Sequence, residues 1–156
     1  MIYQGKPYSC GPAALSNACN WVFGNSELCP SEDQILELIE HHNKQAPTEG
    51  TSEHDLKRVL KHFEIPFFTV SYRHKLSAPK HVANVLLNGG AVVCHGNKSK
   101  HWFVLIAALY NFDRNLHGFA VVDSADSDIV VKWTIDKLID NWAGEGNRRC
   151  YGIVIG

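Results

Sequence analysis

Gln4-Gly5-Lys6-Pro7-Tyr8-Ser9-Cys10-Gly11-Pro12-Ala13-Ala14 is the stretch on which the fold turns, because in it an extended chain becomes a helix. Pro12 is tolerated only in a first helical turn, and Ala13, Ala14, Leu15, Ala18, Val22 and Phe23 supply one apolar face, so the spacing predicts a helix over Cys10 to Phe23. Cys10 then stands at the helix entrance. Unpaired N–H groups and the helix dipole favour negative charge there, so the thiol ionises more readily than a free cysteine. Thiolate is the nucleophilic form. Gly11 would let a carbonyl substrate approach the backbone closely, the Cys10 N–H points where an oxyanion could be held, and Gln4 could add a second donor from its amide. A lone cysteine before a helix is nevertheless more often simply a small buried residue.

A distant segment changes that balance. His101-Trp102-Phe103-Val104-Leu105-Ile106 begins with a histidine, directly after the polar loop Gly96-Asn97-Lys98-Ser99-Lys100. At the rim of a sheet His101 can face a cleft and take the proton of Cys10, leaving thiolate and imidazolium at rest. The next strand ends in Val121-Val122-Asp123-Ser124. If the two strands form a hairpin, Asp123 lands near His101 and can orient its ring. An aspartate ending a strand is by itself more often a turn former. Gln4, Cys10, His101 and Asp123 in that order are much less easily accidental.

Outward from these segments, helices come first and strands later. Ser31 with Gln34 is a capping-box pattern opening a helix through Ile35, Leu36, Leu38 and Ile39 to about His42. Thr51 or Ser52 can cap a helix through Leu56, Val59, Leu60 and Phe63, which Pro66 ends. Phe67 to Tyr72 reads as a strand, and Pro79 opens a helix through Val82, Val85 and Leu86 that Gly89-Gly90 closes. Strands follow over Ala91 to His95, His101 to Tyr110, His117 to Asp123 and Ile129 to Trp133, then a helix capped by Thr134 with Ile135, Leu138, Ile139 and Trp142, and a last strand Tyr151 to Ile155. The class is α+β, a single domain over 1–156 with an N-terminal helical half packed on an antiparallel sheet.

Composition narrows the function. With 156 residues, 45% of them hydrophobic and 20% charged, the chain can bury a sizeable core and is neither disordered nor low in complexity. A net charge of −1 provides no field for a nucleic acid or an anionic bilayer. The longest apolar run, Trp102 to Tyr110, is far short of the roughly 20 residues of a bilayer span and reads as a buried strand. No targeting signal precedes it, and five cysteines at irregular spacing (Cys10, Cys19, Cys29, Cys94, Cys150) fit free thiols in a reducing compartment, so the expected location is the cytoplasm. Nine histidines invite a test for metal. His41 and His42 are adjacent and point to different sides, and His54 and His62 lack a zincin spacing, so no metal and no cofactor is expected. His95, ending the strand before the hairpin loop, is the spare histidine that can line the cleft, and His74, His81 and His117 read as surface. Trp21, Trp102, Trp133 and Trp142 suit core packing, with Trp102 the one placed to reach the site. Cys94, inside an apolar strand, should be protonated and inert. Gly89-Gly90 reads as a helix terminus, and Arg148 and Arg149 as a solvated face that might receive an acidic substrate end.

Taken together, these residues resemble the papain-like cysteine peptidases that process bacteriocin precursors after a double-glycine leader. Gln4 with Cys10 to Ala14 is similar to the family's opening glutamine and nucleophile segment, and Gly50-Thr51-Ser52 with Leu56 and Leu60 to its middle helix. Gly90 to Val93 followed by His101 to Leu105 resembles its histidine hairpin, Val122-Asp123 its acid, and Ile135 through Trp142-Ala143-Gly144 its closing helix. Ser124 stands where the family usually has proline after its acid, with no transporter segment expected in the chain and no leader or prodomain expected before Gln4. The resemblance implies a papain-like cysteine proteinase fold, with Cys10 as nucleophile, His101 as base and acid, Asp123 as orienter and Gln4 in the oxyanion hole. Gly11, Trp102 and His95 are the expected substrate-binding residues. A peptide or protein is the expected substrate, with no nucleic acid and no membrane insertion. The same set could also transfer an acyl group or deamidate a side chain, and a third reading keeps the fold as a non-catalytic peptide grip.

Overall fold

A computed structural model describes residues 5, 9–44, 50–96, 101–124, 130–142 and 150–156. Three helices come first, α1 (Cys10–Phe23), α2 (Glu32–Asn43) and α3 (Glu53–His62). Strand β1 (Phe67–Tyr72) and helix α4 (Ala78–Leu87) lead into β2 (Ala91–Gly96), β3 (His101–Tyr110), β4 (Leu116–Val122) and β5 (Val130–Thr134), and the chain ends in α5 (Ile135–Trp142) and β6 (Cys150–Ile155). The local signals operate as the sequence suggests. Ser31 accepts from the Gln34 N–H at 3.2 Å while the Ser31 N–H donates to Gln34 Oε1 at 2.9 Å, a complete capping box. Ser52 and Asp55 form a second one at the head of α3. The Lys137 N–H donates to Thr134 Oγ1, capping α5, and Gly89 takes the positive φ of 89° that ends α4.

The strands form one sheet in the order β1-β6-β2-β3-β4-β5, antiparallel throughout. β2, β3, β4 and β5 are successive neighbours, as hairpins require, but β6 does not merely close an edge. It inserts between β1 and β2, pairing Phe67 with Ile155 on one side and Val93 with Ile153 on the other.

Alternation along the strands splits the core in two. Val93, Trp102, Val104, Ile106, Ile153 and Ile155 face α1, α2 and α3, where they meet Leu15, Ile35, Leu56 and Leu60. Val92, Cys94, Phe103, Leu105, Val121 and Val154 face α4 and α5, meeting Val82, Leu86, Leu138 and Trp142. The helical half therefore covers one face as expected, while α4 and α5 cover the other. With both faces covered, β3 has no solvent side over Trp102 to Ile106, which is why its sequence reads as a continuous apolar run.

Two expectations fail at element ends. The run through Tyr110 is buried only in its first half, and Tyr110 is exposed because β3 outlasts the helices that cover it. Trp21 and Phe23 are likewise exposed rather than in the core: α1 is buried from Cys10 to Cys19, and its last turn extends past its partners. Among the described residues, no helix is long and apolar enough to cross a membrane.

Candidate active site

Cys10 is the first residue of α1, and Ser9 before it carries the carbonyl that accepts the Ala13 N–H at 3.0 Å. The thiol is therefore at the positive end of a 14-residue helix. It is also almost wholly buried, packed into the core between α1 and β3. Burial alone raises a thiol pKa. The hydrogen bond from the His101 ring, those from the Trp102 and Gly11 backbone and the charge of His101 outweigh it, and Cys10 ends below its ordinary value.

His101 is the first residue of β3, and β4 runs back beside it with Val104 opposite Val122, so Asp123 emerges at the His101 end of the hairpin. The His101 Nε2–H donates to Asp123 Oδ1 at 2.6 Å, with the two side chains only 19% and 18% exposed. A carboxylate only accepts, so Nε2 carries the proton and Nδ1 is left for the sulfur. The hydrogen bond to Asp123 and then that to Cys10 hold the imidazolium, lifting the His101 pKa to about 9 against the opposing effect of burial. Both shifts run in the direction that favours a thiolate beside an imidazolium, with the carboxylate behind it.

The other thiols show what the site changes. Burial pushes Cys19 up to about 12, Cys150 to about 11, Cys94 well above the ordinary thiol range, and Cys29 up as well. Cys10 alone of the five moves the other way.

Beside Gly11 lies a cleft of about 230 Å³ lined by Thr51, Ser52, Glu53, His95, Trp102 and Tyr151. Within it the Trp102 indole N–H donates to the Thr51 carbonyl at 2.9 Å, and the His95 ring lies 4.7 Å from the indole, tilted by 50°. Trp102 and His95 thus both line this cleft. Gly11 does not open onto it. A Cβ there would stand 2.9 Å from Thr51 Cβ and 3.1 Å from Trp102 Cδ1, so packing rather than substrate approach occupies the space that the missing side chain leaves. Thr51, Glu53 and Tyr151 are lining residues that the sequence reading treats only as a helix start and a strand start. Thr51 and Glu53 come from the head of α3 and Tyr151 from the start of β6, opposite Ser71 of β1, a long-range placement that a single sequence does not disclose.

Gln4, Arg148 and Arg149 lie outside the described residues. Near Gln4, the Gly5 N–H donates to both carboxylate oxygens of Glu32, at 3.0 and 3.2 Å, tying that point of the opening segment to the start of α2. Among the described residues, no group of three or more His, Cys, Asp or Glu is arranged to hold a metal ion.

No protein-family model matches the sequence, and no curated protein does. Solved structures do match over nearly the whole chain. The peptidase domain of Streptococcus ComA, a bifunctional ABC transporter involved in quorum sensing, superposes with a TM-score of 0.68 at 18% identity, covering 99% of this chain and 96% of that one. A double-glycine-motif protease from an AMS/PCAT transporter, solved with its leader peptide, gives 0.68 at 13% identity over 99% of this chain and 89% of the other. A C39-like peptidase from Bacillus anthracis gives 0.69 at 12% identity, with 100% and 93% covered. Identities this low speak for architecture rather than activity, and the architecture is unambiguous: the chain has the α+β papain-like fold of the double-glycine peptidase domains.

Proposed function

We propose that the chain is a cysteine peptidase acting on a peptide or protein substrate through a thioester at Cys10. One observation carries the reading: the only thiol of five with a lowered pKa is the one hydrogen-bonded to a histidine that a carboxylate holds at 2.6 Å. The likeness to peptidase domains, one of them solved with a leader peptide, supports the substrate class.

Each step uses a group named above. The Cys10 thiolate attacks the scissile carbonyl carbon, a C–S bond forms and the oxygen takes the negative charge, where the Cys10 N–H at the head of α1 and the Gln4 amide are the proposed donors. The His101 imidazolium gives its proton to the leaving amine as the C–N bond breaks. Neutral His101 then takes a proton from water, which attacks the thioester, and the acid leaves as the thiolate and imidazolium are restored. Asp123 keeps the ring oriented and stabilises its charge in both halves. An amine in place of water gives acyl transfer, and a side-chain amide in place of a peptide bond gives deamidation.

Iodoacetamide at neutral pH, followed by mass spectrometry of the intact and digested protein, is expected to alkylate Cys10 selectively, and Cys10→Ala is expected to abolish turnover of a peptide library. Equal labelling of all five thiols, or cleavage surviving in Cys10→Ala, overturns the proposal. Peptide capture by Cys10→Ala without cleavage or transfer by the intact protein would establish a binding module instead.

A further inference from the structure

The residues of β3 that reach the Cys10 sulfur are its first two: the His101 ring hydrogen-bonds the thiol, and so does the backbone of Trp102. The end of a strand is where pairing opens most easily. Asp123 holds the His101 ring at 2.6 Å, not the backbone of the strand. The start of β3 therefore needs a second tie to stay on the head of α1, and the Trp102 side chain is placed to be that tie.

The buried indole meets three elements. Its N–H donates to the Thr51 carbonyl at 2.9 Å. Thr51 is itself well anchored, because Ser52 after it is the N-cap of α3, fixed by the capping box with Asp55, and α3 packs into the same core through Leu56 and Leu60. Trp102 Cδ1 would lie 3.1 Å from a Cβ on Gly11, so the ring edge abuts the α1 backbone at the residue next to the nucleophile. The His95 ring, opposite Trp102 in the β2–β3 register, lies 4.7 Å from the indole. An indole N–H can only donate, and burial makes it costly to leave unpaired. The bond to Thr51 therefore favours one placement of the ring, and the ring passes that placement to the backbone of β3.

We propose that Trp102 is a positioning residue for the nucleophile: its indole, tied to the Thr51 carbonyl and seated against Gly11, holds the start of β3 on the head of α1, so that the His101 ring and the Trp102 N–H stay on the Cys10 sulfur. The assignment rests on the reading of Cys10 as the nucleophile and adds the residue that keeps its partners in place. Trp142 provides the contrast. It is buried as well, and its indole N–H also donates to a backbone carbonyl, that of Tyr151 at 2.8 Å, but it packs on the opposite face of the sheet with α4. The two indoles make the same kind of bond in different places.

Exchanging one indole at a time for benzothiophene, which keeps the ring shape and puts sulfur in place of the N–H, tests the assignment in the full chain. The variants are Trp102→benzothienylalanine and Trp142→benzothienylalanine, with Trp102→Phe as a second change at the first position. The readout is the pH dependence of the rate at which iodoacetamide alkylates Cys10, followed by peptide mass spectrometry, with thermal unfolding recorded for each protein. Both isosteres are expected to lower the thermal midpoint, since each leaves a buried carbonyl without its donor. Only at position 102 is the alkylation midpoint expected to move, upward by at least about half a pH unit, a fraction of what losing one hydrogen bond to a charged group outright would give. Trp102→Phe, which also empties part of the seat against Gly11, is expected to move it at least as far. An unmoved midpoint in the folded Trp102 variants, or an equal shift in the Trp142 variant, overturns the positioning role while leaving the peptidase reading in place. A wild-type midpoint no lower than the value of about 8.5 of a free thiol overturns the thiolate on which the peptidase reading stands, and the positioning role with it.

Discussion

Replacing Asp123 by Asn keeps the shape of the side chain and removes its charge, so it isolates what the carboxylate does for His101. The His101 pKa of about 9 stands some 2.5 units above the ordinary imidazole value near 6.5, equivalent to about 3 kcal/mol favouring the charged ring. Asp123 is the largest contributor, and with the two side chains only 19% and 18% exposed the pair is not screened as a surface pair would be. In Asp123→Asn the pKa is expected to fall by at least about one unit toward 6.5, with Cys10 holding the remainder. The sign on stability follows from linkage. A histidine whose pKa rises on folding contributes its full stabilisation below about 6.5 and loses it as pH rises through about 9. The wild type should therefore exceed Asp123→Asn in unfolding free energy most at pH 6 and progressively less toward pH 9.5. The thiol's contribution runs the opposite way with pH, but it is common to both proteins and largely cancels in the difference. Titrating the His101 Cε1–H by ¹H–¹³C NMR, assigned with His101→Gln, and denaturant unfolding of both proteins from pH 6 to 9.5 provide the two readouts. Wild-type His101 titrating near 6.5, an unmoved pKa in the variant, or a stability difference flat with pH refutes the reasoning.

Two further expectations concern close packing. Gly11→Ala places a methyl 2.9 Å from Thr51 Cβ and 3.1 Å from Trp102 Cδ1, an overpacking that should cost about 1–3 kcal/mol, read as a drop of roughly 3–10 °C in thermal midpoint; an unchanged midpoint would show that the contact yields freely. Gly118→Ala sets a methyl 2.3 Å from the Trp133 carbonyl oxygen across the β4–β5 pair. Backbone cannot swing aside as a side-chain tip can, so a loss of about 3 kcal/mol or more is expected, with faster amide exchange concentrated in β5, and exchange there matching wild type would count against the fit.

What the sequence discloses and what it hides divide along the range of the interactions. The capping boxes at Ser31 and Ser52 close within three residues, so their spacing is readable directly. The β3–β4 hairpin is local too, and alternation carries Asp123 to the His101 end without any knowledge of the rest of the fold. The insertion of β6 between β1 and β2 is different. It joins segments far apart in the chain, and its specificity resides in shape, as at Gly152, where a Cβ would come within 2.7 Å of Val92 Cγ1. Nothing in the hydrophobic pattern of β6 names its neighbours, so the cleft that Tyr151 helps to line is invisible until the strands are placed. Trp21 and Phe23 illustrate a related blind spot. Helical periodicity says which side of α1 faces inward, but not how far along the helix the covering elements extend, and those two residues lie past that limit.

The reactivity assigned to Cys10 has a control within its own helix. Cys19 lies on α1 as well and is fully buried, and there burial drives the thiol to about 12. Cys10, almost as deeply buried, moves the other way. A shared helix and similar burial cannot account for opposite signs, so the difference must come from what stands at the helix head: the His101 ring, the Trp102 and Gly11 N–H groups, and the dipole end, none of which Cys19 has within reach. Two of those four come from β3. The helix therefore supplies the position and the sheet supplies most of the charge stabilisation, so a change that only tilts β3 away from α1 should return Cys10 toward the behaviour of Cys19 with Cys10, His101 and Asp123 all still present.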